Sequence, residues 1–300
     1  MSGKKIVTVL GATGTQGQSV VNALLKNGTY AVRGITRNPD APAAQTLKDK
    51  GVEVVSASAA DKISLIKAFE GAYAVFGVTI PFTPEGEVTQ GRNIVDAAFA
   101  AKVPLLVWSS LPGASEISGG KHIIPPFDDK SAVEKYIATT SQPTVILHTG
   151  WFTENLFTQH FLQPDPSDHN KWNVVVPVVP DAKMGTLWVE GDLGNIVLAV
   201  IDHWADESWR PKLTKEVIVA APFEISVNEI VNTLKKVTGK DFKYVYKSDL
   251  PAGFQVLFKF FDDGYYRFPQ SNILEELGVK THSYEDFVRE RVVPYLQSKQ

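Results

Sequence analysis

The sequence predicts an α/β fold: a doubly wound parallel sheet followed by a smaller C-terminal α/β subdomain. Three observations predict it. Apolar β-type runs alternate with helical patterns through the first half of the chain, the mark of βαβ crossovers. Those runs are apolar almost without interruption, as strands covered on both faces must be. A glycine-rich turn joins the first run to the first helix.

The elements follow in order. Ile6 to Leu10 reads as a buried strand, and Val20, Val21, Leu24 and Leu25 then recur at helical spacing between Gly17 and Leu25. Ala31 to Ile35 is a second strand, Ala43 to Lys50 a helix that Gly51 ends, and Val52 to Val55 a third strand. Ser64 to Phe69 is a helix closed by Gly71, and Ala74 to Val78 a fourth strand. Val88 to Ala101 is a long amphipathic helix, and Leu105 to Trp108 a fifth strand. Lys130 to Ala138 is helical, and Thr144 to Leu147 a sixth strand. After residue 150 the rhythm loosens, with Pro164, Pro166, Pro177 and Pro180 around the run Trp172 to Val176. Gly191 to Ile201 reads as a helix, Val217 to Ala220 as a strand, and Tyr244 to Tyr246 as a short strand. Ser226 caps a helix that runs to Thr238, with Glu229 at the capping-box position. The expected division is residues 1–150 and 151–300, with some C-terminal segments returning to the main sheet.

Composition narrows the function classes. With 44% hydrophobic and 21% charged residues, the chain is ordinary for a globular protein. It has no cysteine, which excludes disulfides, thiolate catalysis and cysteine-bound metals. The net charge of -3, with no lysine/arginine run, argues against direct nucleic-acid binding. Met1-Ser2-Gly3-Lys4-Lys5 leads straight into a short strand without the core of a signal peptide. No stretch reaches the roughly 18 apolar residues of a membrane span. A cytoplasmic protein is expected, with a nuclear one left open.

Gly11-Ala12-Thr13-Gly14-Thr15-Gln16-Gly17 carries the chemistry. Glycines at this spacing permit a tight turn, bring backbone close to a pyrophosphate and let the helix pack against the sheet. The helix N-terminus then offers free N–H groups and a positive dipole end to phosphate. The loop follows the opening strand and precedes a helix, which is the setting of a dinucleotide-binding Rossmann domain. Roughly 20 residues further on, NAD-preferring domains place a carboxylate on the ribose. Here the local sequence is Thr36-Arg37-Asn38-Pro39. A guanidinium pairs with a 2′-phosphate through two parallel hydrogen bonds. Arg37 therefore favours NADP(H), with NAD(H) left open; as a solvated surface arginine it would indicate neither.

The glycine loop resembles the GATGxQG signature of NmrA-like proteins, atypical relatives of the short-chain dehydrogenase/reductases. The resemblance continues through Thr36 to Pro39, Phe127 to Lys130, Val133 to Tyr136, Gly150 to Leu156, Ser226 to Ile230 and Val237 to Lys240. It implies a dinucleotide site and, for several members, a role as a redox-sensing regulator rather than an enzyme. On the family pattern Thr13, Gln16 and Arg37 line the phosphate and adenosine end, and Lys130, Phe152 and Asn155 lie near the nicotinamide. Asn38 and Thr15 belong to the same expected binding set. Where relatives read Gly-Asp-x-Asp-Asp, this chain reads Ala57-Ser58-Ala59-Ala60-Asp61, so only Asp61 keeps a carboxylate there.

Reduction of a carbonyl needs a proton donor at the developing alkoxide. Short-chain reductases use a Tyr-x-x-x-Lys pair. Lys130 matches the lysine, but Pro126 stands where the tyrosine should be and Phe127 follows it. Ser109 and Ser110 end the fifth strand, where that superfamily keeps a serine. In isoflavone-reductase-like cousins the lysine itself serves the chemistry. Lys130 is thus a candidate catalytic residue, a cofactor ligand or a surface lysine. Tyr136 lies about 240° round the helix from Lys130, so the two should not share a pocket. His122 sits in a Gly-Gly-Lys-His loop, read as solvated or as a cap over the nicotinamide side, and His148 reads as a satisfied core residue. His160 and His169 lack metal partners at useful spacing. The aromatic stretch Phe254 to Phe268 reads as packing, a pocket wall or a partner surface, and the loop from Phe82 to Thr89 passes where a cofactor would lie. The leading expectation is an NADP(H)-binding regulator reporting cofactor state to a protein partner. The alternative is an NADPH-dependent oxidoreductase acting on a small aromatic or carbonyl substrate with Lys130 in its active site.

Overall fold

The computed structural model describes residues 3–250, 252–269 and 271–299. Met1 and Ser2 lie outside the described residues, as does the side chain of His169.

The first half builds the main sheet: β1 (Ile6–Val9), α1 (Thr15–Asn27), β2 (Ala31–Thr36), α2 (Pro42–Asp49), β3 (Glu53–Ser56), α3 (Lys62–Phe69), β4 (Ala72–Gly77), α4 (Glu87–Ala100), β5 (Leu105–Ser110), α5 (Ala114–Ile117), α6 (Pro125–Ile137) and β6 (Thr144–His148). The second half adds β7 (Trp151–Phe152), α7 (Asn155–Thr158), β8 (Leu162–Asp165), β9 (Asp168–Val176) and β10 (Met184–Leu187). After these come α8 (Gly194–Trp204), α9 (Arg210–Lys215), β11 (Ile218–Val219), β12 (Phe223–Ile225) and α10 (Val227–Thr238). The chain then runs through β13 (Asp241–Tyr246), α11 (Ala252–Asp262), α12 (Ile273–Glu276), α13 (Tyr284–Phe287) and α14 (Val293–Gln297).

The seven-stranded sheet has the order β11-β6-β5-β4-β1-β2-β3, and its strand pairs are parallel. The order reverses between β1 and β4, and that is where an open α/β sheet leaves a crevice at its carboxyl edge. This is the Rossmann arrangement. Two three-stranded sheets, β12-β10-β7 and β13-β9-β8, form the C-terminal part.

Burial explains why the strands read as unbroken apolar runs. Val7, Val9, Ala74, Phe76, Leu105 and Val107 face one layer with Val20, Val21 and Leu24 of α1 and Ile196, Val197, Val200 and Ile201 of α8. Val75, Leu106 and Trp108 face the other, with Leu65 and Phe69 of α3, Ile94 and Val95 of α4 and Val133 of α6. Alternating side chains therefore both enter cores.

Several element bounds differ from the sequence reading. The helix carrying Lys130 begins earlier, at Pro125, because proline at a first helical position has no N–H to lose. The helix expected from Gly191 opens as a π-helical turn, Val189–Leu193, before α8 runs on to Trp204. The expected strand from Val217 shortens to Ile218–Val219, and it pairs with β6 at the edge of the main sheet. At α10 the capping box is present as expected, with Ser226 accepting from the Glu229 N–H and Glu229 accepting in return. Among the described residues no helix is long and apolar enough to cross a membrane.

Candidate functional site

The glycine loop builds the floor of the site. Gly11 takes a φ of +59°, and the Gly14 N–H closes the turn on the Gly11 carbonyl at 2.8 Å. A Cβ at Gly17 would lie 2.1 Å from the Gly11 oxygen, so only glycine lets α1 start this close to the turn. Gly14 caps α1 without any side-chain hydrogen bond, and no acidic residue occupies the first turn. The first N–H groups of a 13-residue helix thus remain available, with the dipole end unopposed.

Above the loop lies a cavity of about 530 Å³. Gly11, Thr13, Gly14, Thr15, Gln16 and Gly17 line it from below, and Ile35, Thr36 and Arg37 from the end of β2. Ala57, Ser58 and Ala59 close the β3 side, and Val78 to Pro81, Thr83, Glu85 and Gln90 the β4 side. Phe152 closes the far end. Gln16 is fixed by the Ser109 hydroxyl, which donates to its Oε1 at 2.6 Å. The β4 loop is clamped by Gln90: Ile80 N–H donates to its Oε1 at 3.0 Å, and its amide donates to Ile80 O and to the Thr83 hydroxyl. In that loop Phe82 has a φ of +60° and is 81% exposed, a strained position for an aromatic residue.

The arginine within β2 and the one just after it differ. Arg33 donates to Glu53 at 2.9 Å and to the Ala68 and Glu70 carbonyls, which ties strands and a helix end together. Arg37 is exposed on the cavity wall, with no partner among the described residues.

Other predicted residues lie outside the wall. The Asn38 side-chain oxygen, Oδ1, accepts the Asp40 N–H at 3.1 Å in a local turn. Asp61 caps α3, accepting the N–H groups of Ile63 and Ser64 at 3.0 and 3.3 Å. Asn155 begins α7 and is half-buried, 3.5 Å from the Thr158 hydroxyl. Beside it, buried Glu154 accepts the Glu190 N–H at 2.9 Å and so anchors the π-helical turn. Burial raises the carboxyl pKa of Glu154 above its usual range.

Lys130 is buried behind the wall, where its ammonium donates to Glu87. Helix packing causes this meeting. A Cβ at Gly91 would lie 2.4 Å from Val133 Cγ2, so the glycine brings α4 and α6 into close approach. Glu87 lies one turn before Gly91, and Lys130 nearly one turn before Val133, which places both ends side by side. The Thr79 hydroxyl donates to the same Glu87 oxygen, Oε2, at 2.5 Å, and Thr79 does line the cavity. Asp129 lies nearby; burial, then the Glu87 charge, pushes its carboxyl above the usual range. The sequence reading missed Glu87 and Thr79. The sole local signal was an acidic residue opening α4 four residues before a glycine.

The histidines correct one expectation. His122 is neither solvated nor beside the cavity: its Nε2 lies 2.8 Å from Asp263, and its ring packs against Phe260 and Tyr265. Lys121, Lys259 and His122 together hold the Asp263 carboxyl well below the usual carboxylate range. His148 is half-buried, and its Nε2 lies 2.8 Å from Glu134, so it is satisfied as expected. Tyr136 donates to Asp96 at 2.5 Å, away from Lys130. Phe127 packs edge-on against Phe260 and Tyr266, and the aromatic stretch from Phe254 supplies Phe258, Phe260, Phe261, Tyr266 and Phe268 to one core.

Fold and site together define a Rossmann protein whose open glycine loop and uncapped helix face a cavity at the topological switch point. The chain belongs to the NmrA-like family, whose model matches residues 3–285. Among curated relatives, the NmrA-like family domain-containing oxidoreductase himF of Aspergillus japonicus is 33% identical over 263 residues, covering 80% of this chain and 75% of that protein. The oxidoreductase hkm9 of Aspergillus hancockii is 37% identical over 164 residues, so that match spans 52% of this chain and only 49% of the relative. A solved structure of NmrA, a negative transcriptional regulator, in complex with NADP superimposes with a TM-score of 0.83 at 19% identity, covering 99% of this chain and 98% of that one. At that identity the likeness is one of fold.

Proposed function

We propose that the cavity holds a nicotinamide dinucleotide, NADP(H) in preference to NAD(H), and that the chain is an NADPH-dependent oxidoreductase for a small aromatic or carbonyl substrate. Arg37 carries the cofactor preference. It is a guanidinium at the cavity rim with no partner among the described residues, and among them no carboxylate from the β2 or β3 loops lines the wall to repel a 2′-phosphate. The absence of a Cβ at Gly17 and the uncapped start of α1 fit a pyrophosphate laid over Thr13 to Gly17. Ala57 to Ala59 would take the adenine, and Phe152 would flank the nicotinamide. Bound NADPH supplies the two electrons of the reduction. The names of the 30–37% identical fungal relatives support the oxidoreductase reading.

A second reading, a redox-sensing regulator that reports cofactor state to a protein partner, is favoured by Pro126 and Phe127. They leave α6 without the usual tyrosine, and Phe127 is buried among other aromatics. A ligand shifts a conformation only through different affinities for its two states. Partner affinity that is equal with NADP+, with NADPH and without cofactor would sink that reading.

Thermal stability with NADPH, NADP+, NADH and NAD+ in turn tests the cofactor assignment. A cofactor at about 100 times its dissociation constant stabilises the native state by about 2.7 kcal/mol. Greater stabilisation by the phosphorylated pair is expected; equal stabilisation by all four would remove the role given to Arg37. Loss of NADPH absorbance on adding an aromatic aldehyde or quinone then separates enzyme from sensor.

A further inference from the structure

Lys130 matches the lysine of related active sites, yet it is not among the residues that line the cavity. Its ammonium is buried against Glu87, and what lines the cavity is Thr79, on the other side of the same carboxylate oxygen. We propose that Lys130, Glu87 and Thr79 form one proton-conducting array, with the Thr79 hydroxyl as its terminus at the substrate. The proposal rests on the oxidoreductase reading and names the acid that reading lacks.

The geometry suits the task. A threonine hydroxyl has one donor and two acceptor sites. With its proton on Glu87, Thr79 can only accept from a ligand in the cavity. When Lys130 passes a proton to Glu87, the carboxyl donates to Thr79 Oγ1 and the threonine proton turns to the ligand. The O–H bond broken at Thr79 is replaced by the one made from Glu87, and Lys130 is left neutral until water reprotonates it. The ligand oxygen gains that proton as the substrate carbon takes the electron pair from the reduced dinucleotide. Run backwards, the same chain accepts a proton from an alcohol.

Glu87 is suited to the middle position. It is 2% exposed, and its second oxygen, Oε1, is buried without a hydrogen-bond partner among the described residues. Among the described residues Lys130 and Thr79 are therefore its two hydrogen-bond partners, and its charge also acts on Asp129.

The test of the array follows NADPH oxidation with 4-nitrobenzaldehyde and with phenanthrenequinone as probes. Thr79→Val should lower kcat by about 100-fold, the lower end of general-acid effects. Thr79→Ser should stay within about 10-fold of wild type, with NADPH-induced thermal stabilisation the same in all three proteins. Full turnover in Thr79→Val overturns the relay and leaves the oxidoreductase reading standing. A wild type that NADPH stabilises but that reduces neither probe removes the oxidoreductase reading and the relay's catalytic role with it.

Discussion

Arg33 and Arg37 sit on one strand and its end, and their surroundings give them different work. Arg33 has three partners from two elements, so its charge is spent on joining β2, β3 and the end of α3. Arg37 has none among the described residues and stands on the cavity wall. A charged hydrogen bond is worth about 1.5–3 kcal/mol when its partner is removed. Arg37→Ala should therefore weaken NADPH binding by about 10- to 100-fold and leave NADH binding unchanged, as read by titration calorimetry. Equal weakening of both cofactors would place the arginine elsewhere than the 2′-phosphate. Asp61 shows the reverse case: a carboxylate at a binding position by motif is used, in the folded chain, as a helix cap.

The helices matter through how closely they approach. Gly91 lets α4 lie against α6, and this brings Glu87 to Lys130 and Asp96 to Tyr136. A methyl group there would meet Val133 at 2.4 Å, a distance that backbone or side chain must relieve. Gly91→Ala should cost about 1–3 kcal/mol, the usual range for overpacking, despite alanine's better helix propensity. Denaturant unfolding measures this; a variant as stable as wild type would show that the helices part without penalty. The same principle holds α1. The Ser19 hydroxyl donates to the Val189 carbonyl and accepts the Gly194 N–H at 2.9 Å, joining the glycine-loop helix to the π-helical turn.

At the scale of the whole molecule the two halves share a core. One face of the main sheet is covered by Leu187, Val189, Leu193 and the apolar side of α8, all from beyond residue 150. The edge strand β11 also comes from there. A chain of residues 1–150 would expose that face and leave β6 as a bare edge. Such a fragment should show no cooperative thermal transition by circular dichroism, while the full chain unfolds in one. A sharp transition in the fragment would mean that the first half is stable alone. Buried Asp192 adds a further tie: it accepts the His282 N–H at 3.1 Å, bringing the C-terminal segment onto the turn that touches α1.

Local chemistry alone determined much of this protein. Apolar runs, the Ser226 capping box and the glycine loop are signals between near neighbours, and they specify the parallel sheet and the floor of the cavity. Tertiary structure decided the rest, because its causes are contacts between distant residues. Lys130 meets Glu87 from 43 residues away, and His122 meets Asp263 from 141. No periodicity carries such a pairing, since it depends on which helices a sheet brings together and how small the residue between them is. For that reason the lysine was legible in the sequence, while the carboxylate and hydroxyl that link it to the cavity were not.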